Sequence, residues 1–127
     1  GQAAKACNNM LLATTMIGVG EAFNLGENLG LDLKKLFDVL STSTGNCWAI
    51  NTYCPIEGVG PNSPADNNFQ PGFSVNLMLK DLTIALKAIK DTNTLAPFGT
   101  KSQENFKRMV DDKKGELDFS AIVNFNK

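Results

Sequence analysis

The sequence contains no histidine among its 127 residues. This absence excludes the Ser-His-Asp and Cys-His nucleophile systems and every zinc site that is built on imidazole. If the protein performs acid-base chemistry, a lysine, aspartate, glutamate, tyrosine or cofactor must therefore carry it out.

Cysteine is scarce, and its arrangement excludes two further kinds of site. Cys7, Cys47 and Cys54 are an odd number, and no C-x-x-C motif occurs. A disulfide framework and a cysteine-based metal site are therefore not expected, so we predict no metal. This use of cysteine indicates a reducing compartment.

The chain also lacks a basic excess and a long hydrophobic run. Twelve Lys and Arg residues against thirteen Asp and Glu residues give a net charge of −1, which argues against nucleic-acid binding. The apolar stretch at 10–20 is too short to span a bilayer, and it lacks the charged flank and cleavage site of a signal peptide. We expect neither nucleic acid nor a membrane as a partner.

What is present is typical of one globular domain. Hydrophobic residues make up 43% of the chain and charged residues 20%, and a mass of 13.7 kDa corresponds to a single domain. A chain of this size buries roughly two-thirds of its unfolded surface, so it can hold a core without metals or disulfides.

Residues 2–29 are predicted to form one long helix. Apolar residues fall on more than one face of it, which is typical of a helix buried among others. Gly18, Gly20 and Gly26 each weaken a helix by about 1 kcal/mol relative to alanine, and we interpret them as positions of close helix packing. Gly30 is expected to end the helix.

The rest of the chain predicts further helices and one long ordered loop, without a convincing strand. The expected elements are a helix at 33–42 capped by Asp32, a short helix at 47–53, the proline- and glycine-rich loop at 54–72, helices at 73–91 and 97–114 with Gly115 ending the second, and a final helix at 119–125 capped by Asp118. The predicted fold class is all-α, a helical bundle of about five or six helices around one long N-terminal helix.

The first candidate for chemistry is Lys5 with Asn8 and Asn9. Spacings of three and four place both amides beside the lysine on one helical face. An amide can orient a substrate hydroxyl or carbonyl, and a lysine in a partly desolvated cleft can act as an acid or a base. Composition alone favours the other interpretation of the same residues, an exposed lysine and two surface asparagines.

A second candidate is the segment that contains Phe73, Lys80 and Asp81. It could be an amphipathic helix whose charged residues face water, or it could present a cation to a phosphate or carboxylate group. No G-x-G-x-x-G motif and no Walker A motif accompany it. The domain by itself is therefore not expected to bind a dinucleotide in the usual way.

The only tryptophan, Trp48, stands near the predicted short helix. A tryptophan there is most often a core or interface anchor. We interpret the neighbouring Cys47 thiol as structural rather than reactive.

Two spaced motifs together resemble the C-terminal helical domain of the β-hydroxyacid dehydrogenase family. The first is G-x-x-x-K-x-x-x-N, matched by Gly1, Lys5 and Asn9. The second is F-x-x-x-L-x-x-K-D-L, matched by Phe73, Leu77, Lys80, Asp81 and Leu82. The resemblance covers essentially all of residues 1–125. It implies a fold similar to the C-terminal domain of 6-phosphogluconate dehydrogenase.

Other segments are similar to one branch of that family. They are "NNMLLATTMIG" after Lys5, "GNCW" at 45–48, and an insertion that ends in "NNFQPGF". The tartronate and succinic semialdehyde reductases of the family lack this insertion. A related semialdehyde reductase nevertheless stays open as an alternative.

The resemblance implies a role for each matched residue. Lys5 is similar to the catalytic lysine that handles the proton of a hydroxy-acid substrate while hydride passes to NAD. Asn9, assisted by Asn8, is implied to contact the substrate. Lys80 is implied to reach the cofactor with Phe73 nearby, and residue 81 is implied to orient its helix rather than touch a ligand.

The resemblance also implies a larger assembly. A Rossmann domain that binds most of the NAD is expected N-terminal to Gly1, with residues 1–127 as the C-terminal substrate and dimerisation domain, inactive alone. A homo-oligomer is expected, in the mitochondrial matrix of a eukaryote or the cytoplasm of a bacterium. The alternative from another class is a non-catalytic helical dimerisation module.

Overall fold

The computed structural model describes residues 1–127 as an all-α fold. It contains no strand, and only an isolated bridge joins Ser74 and Asp118. Two 3-10 turns, Pro64–Asn67 and Phe119–Ala121, accompany the helices. The six α-helices are α1 (Gln2–Asn28), α2 (Leu33–Leu40), α3 (Trp48–Asn51), α4 (Val75–Asp91), α5 (Pro97–Asp111) and α6 (Ile122–Phe125). The predicted fold class is confirmed.

Helix α1 is the centre of the bundle, and α2 to α6 all pack against it. Ala13, Met16, Val19 and Phe23 form one buried stripe along it, because positions three and four apart share a helix face. The other apolar side of α1 is different, since Leu25 is 60% exposed. The helix is therefore buried on one side only.

Most predicted helix ends are confirmed. The Asp32 carboxylate accepts the backbone N–H groups of Lys34 and Lys35 and caps α2. Gly30 has a φ of 80° and follows the end of α1, where glycine is favoured because it has no Cβ. Helix α4 begins two residues later than predicted, because the Ser74 hydroxyl accepts the Leu77 N–H and caps it there.

The predicted end of α5 is wrong. The helix ends at Asp111, and Lys113 takes the left-handed conformation with a φ of 61°. The N–H of Lys114 then donates to the carbonyl of Met109, and that of Lys113 to Val110, which closes the helix without a glycine. Gly115 instead allows close packing, because a Cβ there would collide with the Asn76 side chain.

Other helices also differ from the prediction at their boundaries. The short helix predicted at 47–53 covers only Trp48–Asn51, and α2 ends at Leu40 rather than at residue 42. The final helix is divided into the 3-10 turn Phe119–Ala121 and α6. Asp118 caps this segment as predicted, since its carboxylate accepts the Ser120 N–H.

The loop at 54–72 is ordered, as predicted. The Ser63 hydroxyl donates to the carbonyl of Cys54 across the loop. The Asp66 carboxylate accepts the backbone N–H groups of Gly58 and Ser63. These bonds satisfy the loop's own polar groups, which lets a long connection hold one conformation.

The glycines of α1 differ in what they contact. A Cβ on Gly20 would lie 3.1 Å from Val123 of α6, and a Cβ on Gly26 would collide with Leu36 of α2. Gly18 has no neighbour within 4 Å of such a Cβ, so the packing interpretation is wrong for that position. No helix of the chain is both long and apolar enough to cross a membrane.

Gly18 and Gly20 therefore make a matched test of helix packing. We expect Gly18→Ala to raise the free energy of unfolding by up to about 1 kcal/mol, because alanine favours the helix and meets no neighbour. Gly20→Ala is expected to lower it by about 1 kcal/mol, because α6 must move away from α1. Urea unfolding of both variants measures this, and an equal gain in both would contradict the contact with Val123.

Candidate functional site

The structure brings Lys5 and Lys80 to one surface cavity. The cavity lies between the start of α1 and the middle of α4 and has a volume of about 190 Å³. Its lining consists of Gln2, Lys5, Ala6, Lys80, Asp81 and Ile84. Both motifs that the sequence singled out therefore contribute a lysine to the same place.

Both lysines of the cavity are free of ion pairs. The four ion pairs of the chain use Lys87, Lys101, Lys107 and Lys127. Lys5 and Lys80 are exposed, so their ammonium groups are open to a ligand. Two cations beside the single carboxylate of Asp81 favour an anionic or hydroxylated ligand.

Asn9 is held in place by the aspartate of the same cavity. Its side chain is buried, and its Nδ2 donates to Asp81 Oδ2 at 2.5 Å. Asn8 Nδ2 in turn donates to Asn9 Oδ1 at 3.2 Å. The chain of bonds from Asn8 through Asn9 to Asp81 ties α1 to α4 beside the two lysines.

An apolar groove of about 500 Å³ is linked to this cavity by the hydrogen bonds from Asn8 through Asn9 to Asp81, since Asn8 lines the groove and Asp81 lines the cavity. Asn8, Leu11, Leu12 and Thr15 line one side of the groove from a single face of α1. Cys47, Trp48 and Ala49 line its other side. The sequence analysis did not identify this groove, although Asn8, Leu11, Leu12 and Thr15 share a helical spacing.

Trp48 forms the exposed wall of this groove rather than part of the core. Its side chain is 48% exposed. Its ring also stacks on the ring of Tyr53, with centroids 4.8 Å apart. Half-exposed tryptophans are typical of binding surfaces, because the ring offers a large apolar face.

Phe73 does not line the cavity of Lys5 and Lys80. It precedes α4 by two residues and packs edge-on against Phe119, with centroids 5.9 Å apart. Six residues, most of them helical, lie between it and Lys80. The structure therefore brings Lys5, Lys80, Asn8 and Asn9 together, and it does not add Phe73 to them.

Asp118 does more than cap the last helix. Its side chain is fully buried, and Oδ1 accepts the Tyr53 hydroxyl at 2.7 Å and the N–H groups of Gly72 and Phe73 at 3.0 Å. Oδ2 accepts the N–H of Ser120 at 3.0 Å and its hydroxyl at 2.5 Å. Five donors compensate the burial of this carboxylate.

Tyr53 and Cys54 have shifted pKa values. Burial, the hydrogen bond to Asp118 and the charge of Asp118 raise the pKa of Tyr53 well above its usual value of 10.0. Burial raises the pKa of the Cys54 thiol above 9.0. Both groups are therefore neutral at physiological pH, and Tyr53 keeps the proton that it donates to Asp118.

These shifts predict a loss of stability in alkali. A group whose pKa is raised in the folded state holds its proton more tightly there than in the unfolded chain. Its contribution to the free energy of unfolding is therefore fully present below the unfolded pKa, and it is lost as the pH rises from there through the folded pKa. For Tyr53 the fall begins near pH 10.0. We expect Tyr53→Phe to remove the part of the decrease in the free energy of unfolding that is due to this tyrosine.

Urea unfolding across the range from about pH 8 to pH 11 measures the effect. The contribution of Cys54 begins near pH 9.0 and is common to both proteins. Parallel stability curves for the wild type and Tyr53→Phe above pH 10.0 would be inconsistent with the tyrosine–carboxylate bond.

The chain matches a known family over nearly all its length. The model of the family "NAD-binding of NADP-dependent 3-hydroxyisobutyrate dehydrogenase" matches residues 1–126. Two relatives carry similar names. The probable 3-hydroxyisobutyrate dehydrogenase of Mycobacterium bovis is 50% identical over 123 residues, 97% of this chain and 42% of the relative. The mitochondrial 3-hydroxyisobutyrate dehydrogenase of Homo sapiens is 44% identical over 125 residues, 98% of this chain and 37% of the relative.

A solved structure supports the same likeness. The 3-hydroxyisobutyrate dehydrogenase of Mycobacterium tuberculosis, solved with L-serine, superposes with a TM-score of 0.96 and 48% identity. The alignment covers 100% of this chain and 43% of that one. The chain therefore spans about two-fifths of the length of the proteins it matches.

Proposed function

Since the chain belongs to the 3-hydroxyisobutyrate dehydrogenase family, we propose that it is the C-terminal domain of an NAD-dependent 3-hydroxyisobutyrate dehydrogenase. The proposed reaction converts 3-hydroxyisobutyrate and NAD to methylmalonate semialdehyde and NADH, a step of valine breakdown. The observation that carries this proposal is the meeting of Lys5 and Lys80 in one cavity beside the oriented amide of Asn9.

Lys5 is proposed as the acid-base residue. Oxidation of a secondary or primary alcohol moves a hydride from carbon and a proton from oxygen, and the chain offers no histidine for the proton. Lys5 has no ion-pair partner that would occupy it, and it lies at the cavity surface where a substrate hydroxyl can reach Nζ. When water is excluded around a lysine, its neutral form is favoured and can accept a proton.

Asn9 and Asn8 are proposed to position the substrate. Asp81 fixes the Asn9 amide through one N–H, which leaves the second N–H of the same amide for a substrate oxygen. Asn8 is exposed and lines the apolar groove, and its hydrogen bond to Asn9 links the groove to the cavity. A held amide orients a hydroxyl without a large loss of side-chain freedom, which is how positioning residues accelerate a reaction.

The apolar groove suits the carbon side of such a substrate. A short 3-hydroxy acid has a carboxylate, which the lysines can bind, and an apolar carbon, which can pack against Leu11 and Trp48. L-serine, present in the structure of the mycobacterial relative, is itself a 3-hydroxy acid. We infer that the cavity and the groove together accept this class of molecule.

The nicotinamide cofactor of the family fits the charge of the cavity. It supplies the hydride acceptor when bound. Lys80 is exposed without an ion-pair partner, and an ammonium group there can hold a phosphate or carboxamide oxygen of the dinucleotide. Phe73 remains a weaker cofactor candidate, since it lies outside the cavity.

Most of the cofactor contacts are proposed to come from a Rossmann domain in the rest of the protein. This chain has no glycine-rich phosphate loop, and it spans only about two-fifths of its relatives. We therefore propose that the isolated chain is inactive. By analogy with the relatives, the compartment is the mitochondrial matrix in a eukaryote or the cytoplasm in a bacterium.

Substitution of Lys5 tests the catalytic proposal in the full-length parent protein. We expect Lys5→Ala to lower kcat by about a hundredfold or more, because general acid-base catalysis contributes that much. The measurement is NADH formation at about 340 nm with 3-hydroxyisobutyrate. Lys80→Ala is expected to raise KM for NAD instead.

Lys90→Ala is the matched control, because Lys90 is also exposed on α4 and lies outside the cavity. A Lys5→Ala enzyme as fast as the wild type would contradict the acid-base assignment. Activity with another hydroxy acid but not with this one would favour a related semialdehyde reductase. Inertness toward all of them would favour the non-catalytic dimerisation module.

Association through an exposed apolar face is the second part of the proposal. Leu25, Leu29 and Leu31 near the end of α1 and Val39 of α2 are 50–67% exposed. Helix α2 packs on α1, so these exposed side chains belong to two adjacent helices and the turn between them. An apolar surface of this kind marks an interaction site, and a second copy of the chain is the partner that a homo-oligomer supplies.

Sedimentation velocity tests this association directly. We expect the 127-residue chain to sediment as a dimer or larger species, and Leu25→Glu to shift it toward the monomer by placing a charge on the face. Leu95→Glu is the control, since Leu95 is 91% exposed and lies in the connection between α4 and α5. A wild-type chain that stays monomeric at high concentration would rule the association out.

A further inference from the structure

A buried carboxylate is linked to the wall of the groove by two consecutive contacts. Asp118 Oδ1 accepts the Tyr53 hydroxyl at 2.7 Å, and the Tyr53 ring stacks on Trp48 at 4.8 Å. Trp48 then lines the apolar groove. The path leads from a fully buried acid to a half-exposed surface.

The same oxygen also holds the chain that leads into α4. It accepts the N–H groups of Gly72 and Phe73 at 3.0 Å, just before the helix that carries Lys80. Phe119, next to Asp118, packs against both Tyr53 and Phe73, with centroids 5.5 and 5.9 Å away. Oδ1 thus fixes the groove wall and the start of α4 relative to each other.

We propose that Asp118 is a positioning residue for the groove, holding Trp48 in place as its wall through the Tyr53 hydroxyl. The inference rests on the proposed function in one respect only, namely that the groove binds the apolar carbon of the substrate. Asp118 touches neither the groove nor the lysines, so it acts through Tyr53 rather than on the reacting atoms.

The two oxygens of this carboxylate have different partners, so the positioning of Trp48 can be tested separately from the stability of the fold. Oδ1 serves Tyr53 and the entry of α4, whereas Oδ2 serves only the N–H and the hydroxyl of Ser120 in the adjacent 3-10 turn. Loss of the Ser120 hydroxyl therefore removes one hydrogen bond from the same buried carboxylate. It leaves the contacts from Asp118 through Tyr53 to Trp48 intact. Tyr53→Phe and Ser120→Ala are consequently a matched pair.

Fluorescence of Trp48 tests the proposal in the 127-residue chain, where it is the only tryptophan. The ring is 48% exposed when held, so its release should raise acrylamide quenching by up to about twofold and shift the emission to the red. We expect Tyr53→Phe to show this change. Ser120→Ala is expected to lower the melting temperature and to leave quenching and emission unchanged.

Kinetics of the full-length parent give the second readout. We expect Tyr53→Phe to raise KM for 3-hydroxyisobutyrate by about threefold to tenfold with kcat little changed, because binding of the carbon side is weakened in ground state and transition state alike. Ser120→Ala should leave KM unchanged. Asp118→Asn should show the Tyr53→Phe change at least as strongly, and Tyr53→Phe carries the test alone if that variant does not fold.

The outcomes separate this inference from the proposed function. Equal quenching of Trp48 in the wild type and Tyr53→Phe overturns the positioning role, and so does a change of the same size in Ser120→Ala. A parent enzyme that is inert toward hydroxy acids overturns the proposed function, while the quenching result still decides whether Asp118 positions Trp48.

Discussion

Burial of one stripe of α1 is the constraint on which the rest of the structure depends. Met16 and Phe23 are fully buried on that stripe, and burying a side chain of this kind contributes about 1.5–3 kcal/mol. Every other helix packs against α1, so the position of each follows from its contact with this one helix. Gly20 and Gly26 let α6 and α2 approach it closely.

The candidate site lies where the crossing of α1 and α4 reaches the surface. Because the apolar stripe of α1 is buried, Lys5 lies at the edge of the contact between α1 and α4. The hydrogen bond from Asn9 to Asp81 joins the two helices at that edge. Asn9 is buried and Asp81 is partly buried, so this bond allows few alternative arrangements, because an unpaired buried amide would be costly. The cavity that holds both lysines therefore follows from how the two helices pack.

The long connection between α3 and α4 serves the site through its two ends. Tyr53 lies near its start and Gly72 near its end, and both donate hydrogen bonds to the carboxylate of Asp118, close to the C-terminal end of the chain. One buried acid thus joins three distant segments in the absence of a sheet or a disulfide. The cost of burying its charge is offset by its five hydrogen bonds.

The sequence by itself determined the all-α class, most helix limits and the residues Lys5, Asn9 and Lys80 as candidates, because helical spacing and capping are local properties. It misplaced the end of α5, since Lys113 adopts a backbone conformation that is more usual for glycine. Only the tertiary structure decided that Lys5 and Lys80 share a cavity, that Phe73 lies outside it, and that Asp118 reaches Tyr53. Those are contacts between residues far apart in the chain, and they depend on how the helices pack rather than on local spacing.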